Sequence, residues 1–392
     1  MNIYIDYTAV IDIEKETGTY TGAGNYTREL IRTLTEGGTD FRIILYHGYI
    51  PEKECEKQFL SDESKLVRCD SITEHVFYGC DVLLFPAVTG RILAKACKIR
   101  KKQEGLKIYA VIHDRQHNLA SFDPVDRYFY EGIYRFVPLL FAKFVIKKLV
   151  YNCSYPRWIK SVDKVFTVSN DTLQALNHKN LKQVFCYYQA SSVSDMVPGK
   201  RPQQDVPKEY ILFVSGERPE KNLVRALLAF EAFCKDTDSG CRLCITGIEE
   251  SKLRRIAARL SLSRDFLDAH IRAYGYVDTG ELAYLYQNCR YLLFVSKGEG
   301  FGLPVLEALL CGRTVLCSRQ SSIPEVAGSI LYYVDAFSVN SIKNGMLYLN
   351  DDKNLLYRQK LAEKKKTIIE QQIELDKCVL MNEITGKRKV SQ

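Results

Sequence analysis

The sequence predicts an α/β protein of two domains, each built on a mostly parallel sheet. Short apolar runs typical of strands buried on both faces alternate with helical segments along the chain, which is the pattern of parallel α/β folds. The 392 residues also exceed what one ordinary hydrophobic core holds. We expect strands at residues 3–7, 41–46, 82–85, 108–112 and 165–168 in the first half, and at 210–215, 242–246, 271–274, 291–295 and 314–317 in the second.

The boundary between the two domains is predicted after residue 198. Residues 195–208, DMVPGKRPQQDVPK, contain three prolines and one glycine without apolar periodicity, which is the composition of a linker. We therefore assign residues 1–198 to an N-terminal domain and residues 199–392 to a C-terminal domain. A charged helix is predicted from residue 353 onward. Packing of this last helix back on the N-terminal domain is compatible with the prediction.

Composition indicates a soluble enzyme of a reducing compartment. Apolar residues make up 46% and charged residues 26% of the chain, and no apolar run is long enough to cross a bilayer. The net charge of +8 fits an anionic substrate or an anionic membrane surface and is too small to indicate nucleic-acid binding. Thirteen cysteines are spread along the chain and strand-like residues follow Met1 directly, so we expect a cytoplasmic protein with free thiols. The pair Cys241 and Cys244 lies in a predicted strand, which favours buried thiols over a redox or zinc site.

Two segments of the first half admit two interpretations. Residues 91–107 carry seven lysines and arginines, and residues 127–151 mix aromatic and aliphatic side chains with Arg and Lys. A solvated helix face explains the charges alone. An interfacial patch, lying on the inner face of the cell membrane, explains the charges and the aromatic residues together. Pro138 is predicted to divide the second segment into two helical pieces.

The stretch 291–312, YLLFVSKGEGFGLPVLEALLCG, predicts a buried strand, a glycine-rich loop and a short helix that ends at Gly312. Pro304 suits the first helical turn, where a missing N–H costs nothing. A strand that enters such a loop before a helix is typical of anion sites, because the first helical N–H groups point outward. Glu307 is the one charge of the predicted helix, and desolvation is costly unless a donor binds its carboxylate. No adjacent cation is present, so a sugar or ribose diol is the predicted partner.

A second loop of the same kind, SGERPEKN at residues 215–222, also follows a strand and opens a helix. The loops are expected at one edge of a parallel sheet, where Arg218 and Lys221 with the helix ends would bind phosphates and Glu299 would bind hydroxyls. Such a site suits a diphosphate attached to a polyol. The alternative is a solvated turn for Arg218 and Lys221 and a surface charge for Glu299.

Polar groups at other predicted strand ends and caps complete the candidates. The loop Gly22–Gly24 and His113 each follow a strand of the first half, and His113 is equally well explained as a structural residue. No metal or other cofactor is expected, because the six histidines lack ligand spacing and the DxD string at 236–238 lies in a polar loop. Asn222 and Ser322 are predicted to cap helices through their side chains.

The motif GEGFGLPVLEALLCG at residues 298–312 resembles the signature of the family 4 (group 1) retaining glycosyltransferases, which have the GT-B fold. Six further stretches are similar to motifs of that family and occur in the family's order, so the resemblance spans roughly residues 1–335. They are GAGNYTREL, VIHD, VFTVSNDT, PEKNL, YGYVDTGELAYLYQNC and SSIPEVAG.

The resemblance implies two Rossmann-like domains facing across a cleft, with a nucleotide-sugar donor held mainly by the C-terminal domain. It implies that Glu307 binds the ribose hydroxyls and that Glu299 lies against the transferred sugar. The other implied contacts are Arg218 and Lys221 with the diphosphate, the backbone of Gly300, Phe301, Gly302 and Leu303 with sugar and phosphate, Gly22 and Gly24 with the phosphate from the other domain, His113 with the donor sugar, and Tyr276 and Val277 with the base.

The chain departs from the family pattern near both loops. Ser215 stands where the family usually has an arginine, and Arg218 lies directly before Pro219 instead. Val295 replaces a proline, and Lys297 with Gly298 replaces a bulky apolar pair after Ser296. We expect the last change to alter the donor pocket.

The function that the resemblance implies is metal-independent, retaining transfer of a hexose from GDP-mannose or a UDP-hexose. The expected acceptor is a glycan or a polyprenyl-linked oligosaccharide in cell-surface polysaccharide synthesis. Two alternatives remain open at this point: a catalytically silent GT-B partner of an active enzyme, and a GT-B epimerase or phosphorylase.

Overall fold

The computed structural model describes residues 1–8, 10–11, 22–49, 60–88, 90–114, 122–176, 184–186, 199–237 and 239–386. Within these residues the strands form two sheets, and every strand pair is parallel. The first sheet contains Ile3–Asp6 (β1), Phe41–Tyr46 (β2), Leu66–Cys69 (β3), Val82–Phe85 (β4), Lys107–Ile112 (β5), Lys164–Thr167 (β6) and Val184–Cys186 (β7). The second contains Tyr210–Phe213 (β8), Arg242–Thr246 (β9), Ile271–Gly275 (β10), Tyr291–Phe294 (β11), Val315–Ser318 (β12) and Tyr332–Val334 (β13).

All ten predicted strands are present. The sequence missed β3, β7 and β13, each of which lies at an edge of its sheet. The side chains of β3 and β13 are mostly half-buried, so these short strands lack the continuous apolar run that marks a central strand. The α/β prediction with parallel sheets is therefore confirmed.

Strand order creates a switch point in each sheet. The first sheet has the order β3-β2-β1-β4-β5-β6-β7 and the second has the order β10-β9-β8-β11-β12-β13. The order reverses between β1 and β4 and again between β8 and β11. Ligands of such sheets bind beyond the carboxyl ends of the strands at these points.

The helices that the structure describes differ from prediction at two places. The first helix begins at Gly22, so Gly22 and Gly24 lie in a helical turn and the predicted glycine loop is wrong. Pro138 does not divide its segment, because it lies in the first turn of one helix, where its missing N–H is tolerated. The described helices are Gly22–Glu36, Gly90–Lys102, Val137–Ile159, Asn170–Leu176, Leu223–Asp236, Glu250–Arg259, Arg264–His270, Thr279–Asn288, Leu303–Leu310, Ile323–Ala327, Val339–Asn350 and Asp352–Thr385, and 3-10 turns occupy Glu63–Lys65, Pro124–Phe129, Gly132–Arg135 and Pro219–Lys221.

The chain folds into two compact units that exchange segments. The first consists of Met1–Asn118, Lys148–Ala190 and Gln372–Gln392, and the second consists of Leu119–Lys147 and Ser191–Gln371. A piece of the first half of the sequence thus belongs to the second unit, and the end of the last helix belongs to the first unit. Residue 198, the predicted domain boundary, lies outside the described residues.

Specific contacts hold the last helix in the first unit. The ammonium of Lys164 donates to the carbonyl of Glu383 at 2.8 Å and to its carboxylate at 3.1 Å. Lys377 pairs with Glu29 at 3.2 Å. Among the described helices, none combines the length and the apolar composition that a bilayer-spanning segment requires.

Candidate active site

The two glycine-containing loops lie side by side at the switch point of the second sheet. The loop 216–222 follows β8 and the loop 296–302 follows β11, and these strands are neighbours. The backbone N–H of Lys297 donates to the carbonyl of Glu220 at 2.8 Å, and the hydroxyl of Ser296 donates to the same carbonyl at 3.0 Å. The structure therefore brings the two predicted loops into direct contact.

Backbone geometry at the end of β8 makes the first loop turn sharply. Ser215, which stands where the family has an arginine, adopts a left-handed backbone with φ of 58°. Gly216 and Glu217 then donate from their N–H groups to the carbonyls of Thr246 and Gly247, each at 2.9 Å. A Cβ atom on Gly247 would lie 2.9 Å from the Cα of Ser215, so this close approach of two strand ends requires glycine.

Lys221 and Glu299 join the loops through a buried ion pair. The Lys221 Nζ lies 2.7 Å from the Glu299 Oε1, and the two side chains are 4% and 12% exposed. The Lys221 ammonium also lies 4.9 Å from the ring centroid of Phe294. The solvated-turn interpretation of Lys221 is wrong, because the side chain is buried, and Glu299 is not an exposed surface charge.

Arg218 occupies a different position from Lys221. Its side chain is 61% exposed, and its Nε lies 2.6 Å from the Glu220 Oε1. Burial would raise the pKa of the Glu220 carboxyl, but the charges of Arg218 and Lys221 outweigh burial and lower it. The solvated-turn interpretation thus suits Arg218, whose guanidinium stays outside the buried ion pair.

The loop after β10 also reaches the first loop. The hydroxyl of Tyr276 donates to the carboxylate of Glu217, and this bond raises the pKa of Tyr276 to about 12. Lys252 pairs with the same carboxylate, and both contacts lower the pKa of Glu217. Val277, the other predicted base-contacting residue, is half-buried. Sequence reasoning missed Glu217, whose contacts come from the loop after β10 and from the helix Glu250–Arg259.

The helix Leu303–Leu310 begins and ends as its sequence predicts. Gly302 precedes it with a left-handed φ of 102°, and the N–H of Val305 donates to the carbonyl of Gly302 at 2.9 Å. At the other end Gly312 has a φ of 70°, and its N–H donates to the carbonyl of Leu309 at 2.9 Å, which is part of a Schellman motif. Around the helix start, Phe301 is buried, whereas Gly300 and Leu303 are half-buried.

Glu307 has a protein partner that the sequence did not reveal. The hydroxyl of Tyr286, on the helix Thr279–Asn288, donates to the Glu307 Oε2 at 2.9 Å. Burial, together with the Glu307 carboxylate, raises the pKa of Tyr286 far above its ordinary range, so the tyrosine stays neutral and donates. A protein donor thus satisfies part of the hydrogen-bonding capacity of Glu307, and its contact with a sugar or ribose diol stays a prediction. The partner is 21 residues away in the chain, beyond the reach of an argument from adjacent residues.

Two predicted capping side chains bind other groups instead. Asn222 has a left-handed φ of 70°, and its amide donates to the carbonyls of Val295 and Ala336 at 3.0 and 2.7 Å. The hydroxyl of Ser322 donates to the carbonyl of Glu299 at 3.1 Å, and no side-chain cap forms. Both side chains fix loop ends at the sheet edge, which a local capping pattern cannot show.

Lys297 is bound to carboxylates from the segment 122–136. Its Nζ lies 3.0 Å from the Asp123 Oδ2 and also contacts Asp126, and Arg225 binds both oxygens of Asp123 at 2.7 and 3.1 Å. Burial alone would raise the pKa of Asp123, but Arg225 and Lys297 lower it to about 2. Burial dominates at Asp126 and raises its pKa to about 6. The sequence pointed to Lys297 but missed its partners, which are separated from it by more than a third of the chain.

The first unit holds the remaining predicted residues. His113 follows β5, its Nε2 lies 2.8 Å from the carbonyl oxygen of Pro86, and its ring meets the Tyr26 ring edge-on at 4.9 Å. Burial lowers the pKa of His113, so the ring is neutral at neutral pH. Gly22 and Gly24 are the first and third residues of their helix. The roles of these three residues toward a donor stay predictions.

The described residues offer no group of three or more His, Cys, Asp or Glu side chains that would hold a metal ion. Asp236, from the DxD string, pairs with Lys343 at 2.6 Å, and Asp238 lies outside the described part of the chain. Cys241 and Cys244 are buried free thiols, and burial raises the pKa of each to about 12. The interpretation of this CxxC pair as buried thiols is confirmed.

Comparison with known proteins agrees with this fold. Residues 200–367 match the family described as glycosyl transferases group 1. An O-antigen chain mannosyltransferase B of Escherichia coli is 26% identical over 369 residues, which cover 85% of this chain and 88% of the relative. A serotype-specific mannosyltransferase of the same species is 29% identical over 136 residues, 34% of this chain and 17% of that protein.

A solved structure shows the same architecture over nearly the whole chain. The sucrose-phosphate synthase of Thermosynechococcus elongatus superposes with a TM-score of 0.65 over 98% of each chain at 13% identity. Residues 200–367 thus carry a glycosyl transferases group 1 domain, and the chain has the GT-B fold, which together support a glycosyltransferase.

Proposed function

We propose that this chain is a hexosyltransferase of cell-surface polysaccharide synthesis, which transfers mannose from GDP-mannose to a glycan acceptor. The relative that matches most of the chain is an O-antigen chain mannosyltransferase, and this supports both the sugar and the pathway class. A UDP-hexose is the second candidate donor. The observation that carries the proposal is the Lys221–Glu299 ion pair, which joins two loops at the switch point of the family-matched sheet.

The geometry supports complementary roles for the two members of this pair. Lys221 places a positive charge against Glu299, in the loop that leads into the helix Leu303–Leu310, whose first backbone N–H groups favour an anion. A donor diphosphate bound there would share the ammonium with Glu299. Glu299 would then accept hydrogen bonds from the hydroxyls of the sugar, because an ionised carboxylate has acceptor sites only.

The reaction that we propose proceeds with retention and without a metal. As the anomeric bond breaks, the diphosphate leaving group gains negative charge. Lys221 and the helix N-terminus would therefore stabilise the transition state more strongly than the bound donor. Arg218, exposed at the rim of the loop, adds a weaker and screened attraction for the anion. Glu307 would bind the ribose hydroxyls while keeping its bond to Tyr286.

Donor binding and turnover test this proposal directly. We expect GDP-mannose to raise the melting temperature most strongly in a panel with UDP-glucose, UDP-galactose and UDP-N-acetylglucosamine. Transfer to a mannose-terminated oligosaccharide should persist in EDTA, and NMR of the product should show an α-linkage. Absence of binding and of transfer with every donor would refute the function. Product masses that show epimerised donor or sugar phosphate would favour the epimerase or phosphorylase instead.

We also propose a peripheral contact with an anionic membrane, which would suit a polyprenyl-linked acceptor. The helix Gly90–Lys102 ends in three consecutive basic residues, and apolar side chains on the segment 133–150 are strongly exposed. These are Ile133, Phe136, Phe141, Ile146, Leu149 and Val150. Flotation with vesicles of phosphatidylglycerol and phosphatidylethanolamine tests the contact, and we expect binding that weakens as salt increases. Failure to co-float at low salt would contradict it.

A further inference from the structure

We infer that Asp123 is a positioning residue of this site, which holds the loop 296–302 through Lys297 and thereby fixes the place of Glu299. The role of Glu299 toward a sugar rests on the proposed function. The contacts that connect Asp123 to the loop do not depend on that function.

The segment 122–136 is an integral part of the second unit. Its residues Val125, Tyr128 and Phe129 pack against the core of the second sheet. The guanidinium of Arg259 donates to the carbonyls of Tyr128 and Tyr130 at 2.8 and 3.1 Å. The backbone that follows Asp123 is therefore held both by apolar packing and by the hydrogen bonds from Arg259.

The carboxylate of Asp123 has its acceptor sites filled. Its Oδ1 accepts from the N–H of Val125 and from Arg225, each at 3.1 Å, and its Oδ2 accepts from Arg225 at 2.7 Å and from Lys297 at 3.0 Å. A carboxylate offers about four lone-pair sites, so this group has none left for a ligand. Asp123 acts on other residues of the protein and not on a substrate.

Lys297 is held at both ends. Its ammonium binds Asp123 and Asp126, while its backbone N–H donates to the carbonyl of Glu220. Glu299 follows two residues later and reaches across to Lys221, which itself follows Glu220. The ion cluster therefore holds the loop two residues before Glu299, which forms the other ion pair of the loop.

Burial of this cluster indicates a geometric role. Asp123 is 5% exposed, and Arg225 and Lys297 are each 12% exposed. Removing three charges from water is costly, and an apolar cluster of similar volume often gives equal or greater stability. What ionic contacts add is a fixed direction for each side chain, and a loop that carries a reacting group must be fixed to a fraction of an ångström.

Hydrogen exchange tests the connection whether or not a donor is known. In Lys297→Met, we expect faster exchange of the backbone amides of 296–302, with little change in Lys297→Arg. The matched control is Lys343→Met, which removes the Lys343–Asp236 pair elsewhere in the same unit. Unchanged exchange in Lys297→Met would overturn the inference. If Lys297→Met exchanges faster while the wild-type protein transfers no sugar, the inference stands and only the proposed function is refuted.

Kinetics tests whether the fixed loop matters for transfer. We expect Lys297→Met and Asp123→Asn each to lower kcat by about 10- to 100-fold with a smaller change in donor KM. Lys297→Arg should recover most of the activity, and Lys343→Met should match the wild type.

The decisive comparison uses Glu299→Gln as the background. If Lys297 acts by positioning Glu299, adding Lys297→Met to Glu299→Gln should cost little further activity, because the positioned group is already removed. A merely structural role predicts the same fold-loss in both backgrounds together with a lower melting temperature. That result would overturn the inference.

Discussion

The loop 296–302 forms buried ion contacts with two other parts of the second unit, and the surroundings of these contacts differ. On the side of the loop 216–222, Lys221 is the one charge partner of Glu299 among the described residues. On the side of the segment 122–136, Asp123 is bound by two cations and a backbone N–H. Glu299 therefore keeps acceptor sites that the function we propose would use for a ligand, whereas the acceptor sites of Asp123 are filled. Under that proposal, similar burial of charge serves binding in one place and geometry in the other.

The largest effect on activity is expected at the Lys221–Glu299 pair. Lys221→Met should lower kcat/KM by about 10²- to 10³-fold, because it removes a cation that faces the developing charge of the leaving group. Glu299→Gln should have a comparable effect on kcat. Steady-state kinetics with a saturating acceptor measures both.

The control for this prediction is the double variant Lys221→Met/Glu299→Gln. Breaking a buried pair leaves one uncompensated charge and lowers stability, so the single Lys221→Met variant is expected to melt earlier than the double variant. If the double variant regains activity along with stability, the pair is structural and the contrast between the two sides of the loop disappears.

Glu307 extends the comparison to a buried carboxylate with a neutral partner. Glu307→Gln should weaken donor binding by about 10- to 100-fold, since hydrogen bonds to a charged group contribute more than those to a neutral one. Calorimetry with the nucleotide diphosphate and with its 2′,3′-dideoxyribose analogue measures this. Tyr286→Phe serves as the control, because it should lower stability while changing nucleotide affinity less. Equal affinities of Glu307→Gln and the wild type would limit Glu307 to its bond with Tyr286.

The carboxylates of Asp123 and Asp126 should make the stability of the protein depend on pH. The folded pKa of Asp126, about 6, lies above the ordinary 3.8, so the folded state holds this proton more tightly. Its contribution to stability is present below pH 3.8 and is lost as the pH rises through about 6. The pKa of Asp123, about 2, has the opposite sign, so its contribution is present above pH 3.8 and is lost as the pH falls through about 2.

Urea unfolding at several pH values checks these signs. Between pH 4 and 7, the stability of Asp126→Asn should rise relative to the wild type by about 1 kcal/mol, after allowance for solvent screening. The stability of Asp123→Asn relative to the wild type should instead improve only in strong acid. Parallel curves for both variants would contradict the assignment of Asp123 as a carboxylate that stays ionised and of Asp126 as one that binds a proton more readily.

Arg218 should give the smallest change. Because its side chain is 61% exposed and pairs with Glu220 outside the buried ion pair, we expect Arg218→Ala to lower kcat/KM by less than about fivefold at physiological salt, and the effect should shrink further as salt rises. Kinetics at several ionic strengths measures it. A loss as large as that of Lys221→Met would place Arg218 with the buried pair and would revise the distinction between the two cations.

Local patterns in the sequence were enough to predict the central strands and the two loops of the second sheet. Continuous apolar runs fixed β8 and β11 because central parallel strands are buried on both faces, and Gly302 and Gly312 marked both ends of one helix because each needs a left-handed backbone. Lys221 and Glu299 followed from their places after strands that end at one sheet edge. These features depend on residues within one turn or one strand, where local physics decides.

Only the tertiary structure decided which side chains meet. Tyr286 as the partner of Glu307, the use of Asn222 and Ser322 to fix loop ends, and the joining of Lys297 to Asp123 all involve residues from separate elements. Buried polar groups must find partners, but the sequence does not say which, because many donors compete and only packing brings one within bonding distance. Packing between distant elements also explains why the segment 122–136 belongs to the second unit. Its apolar and charged side chains contact residues of that unit that no local sequence pattern could identify.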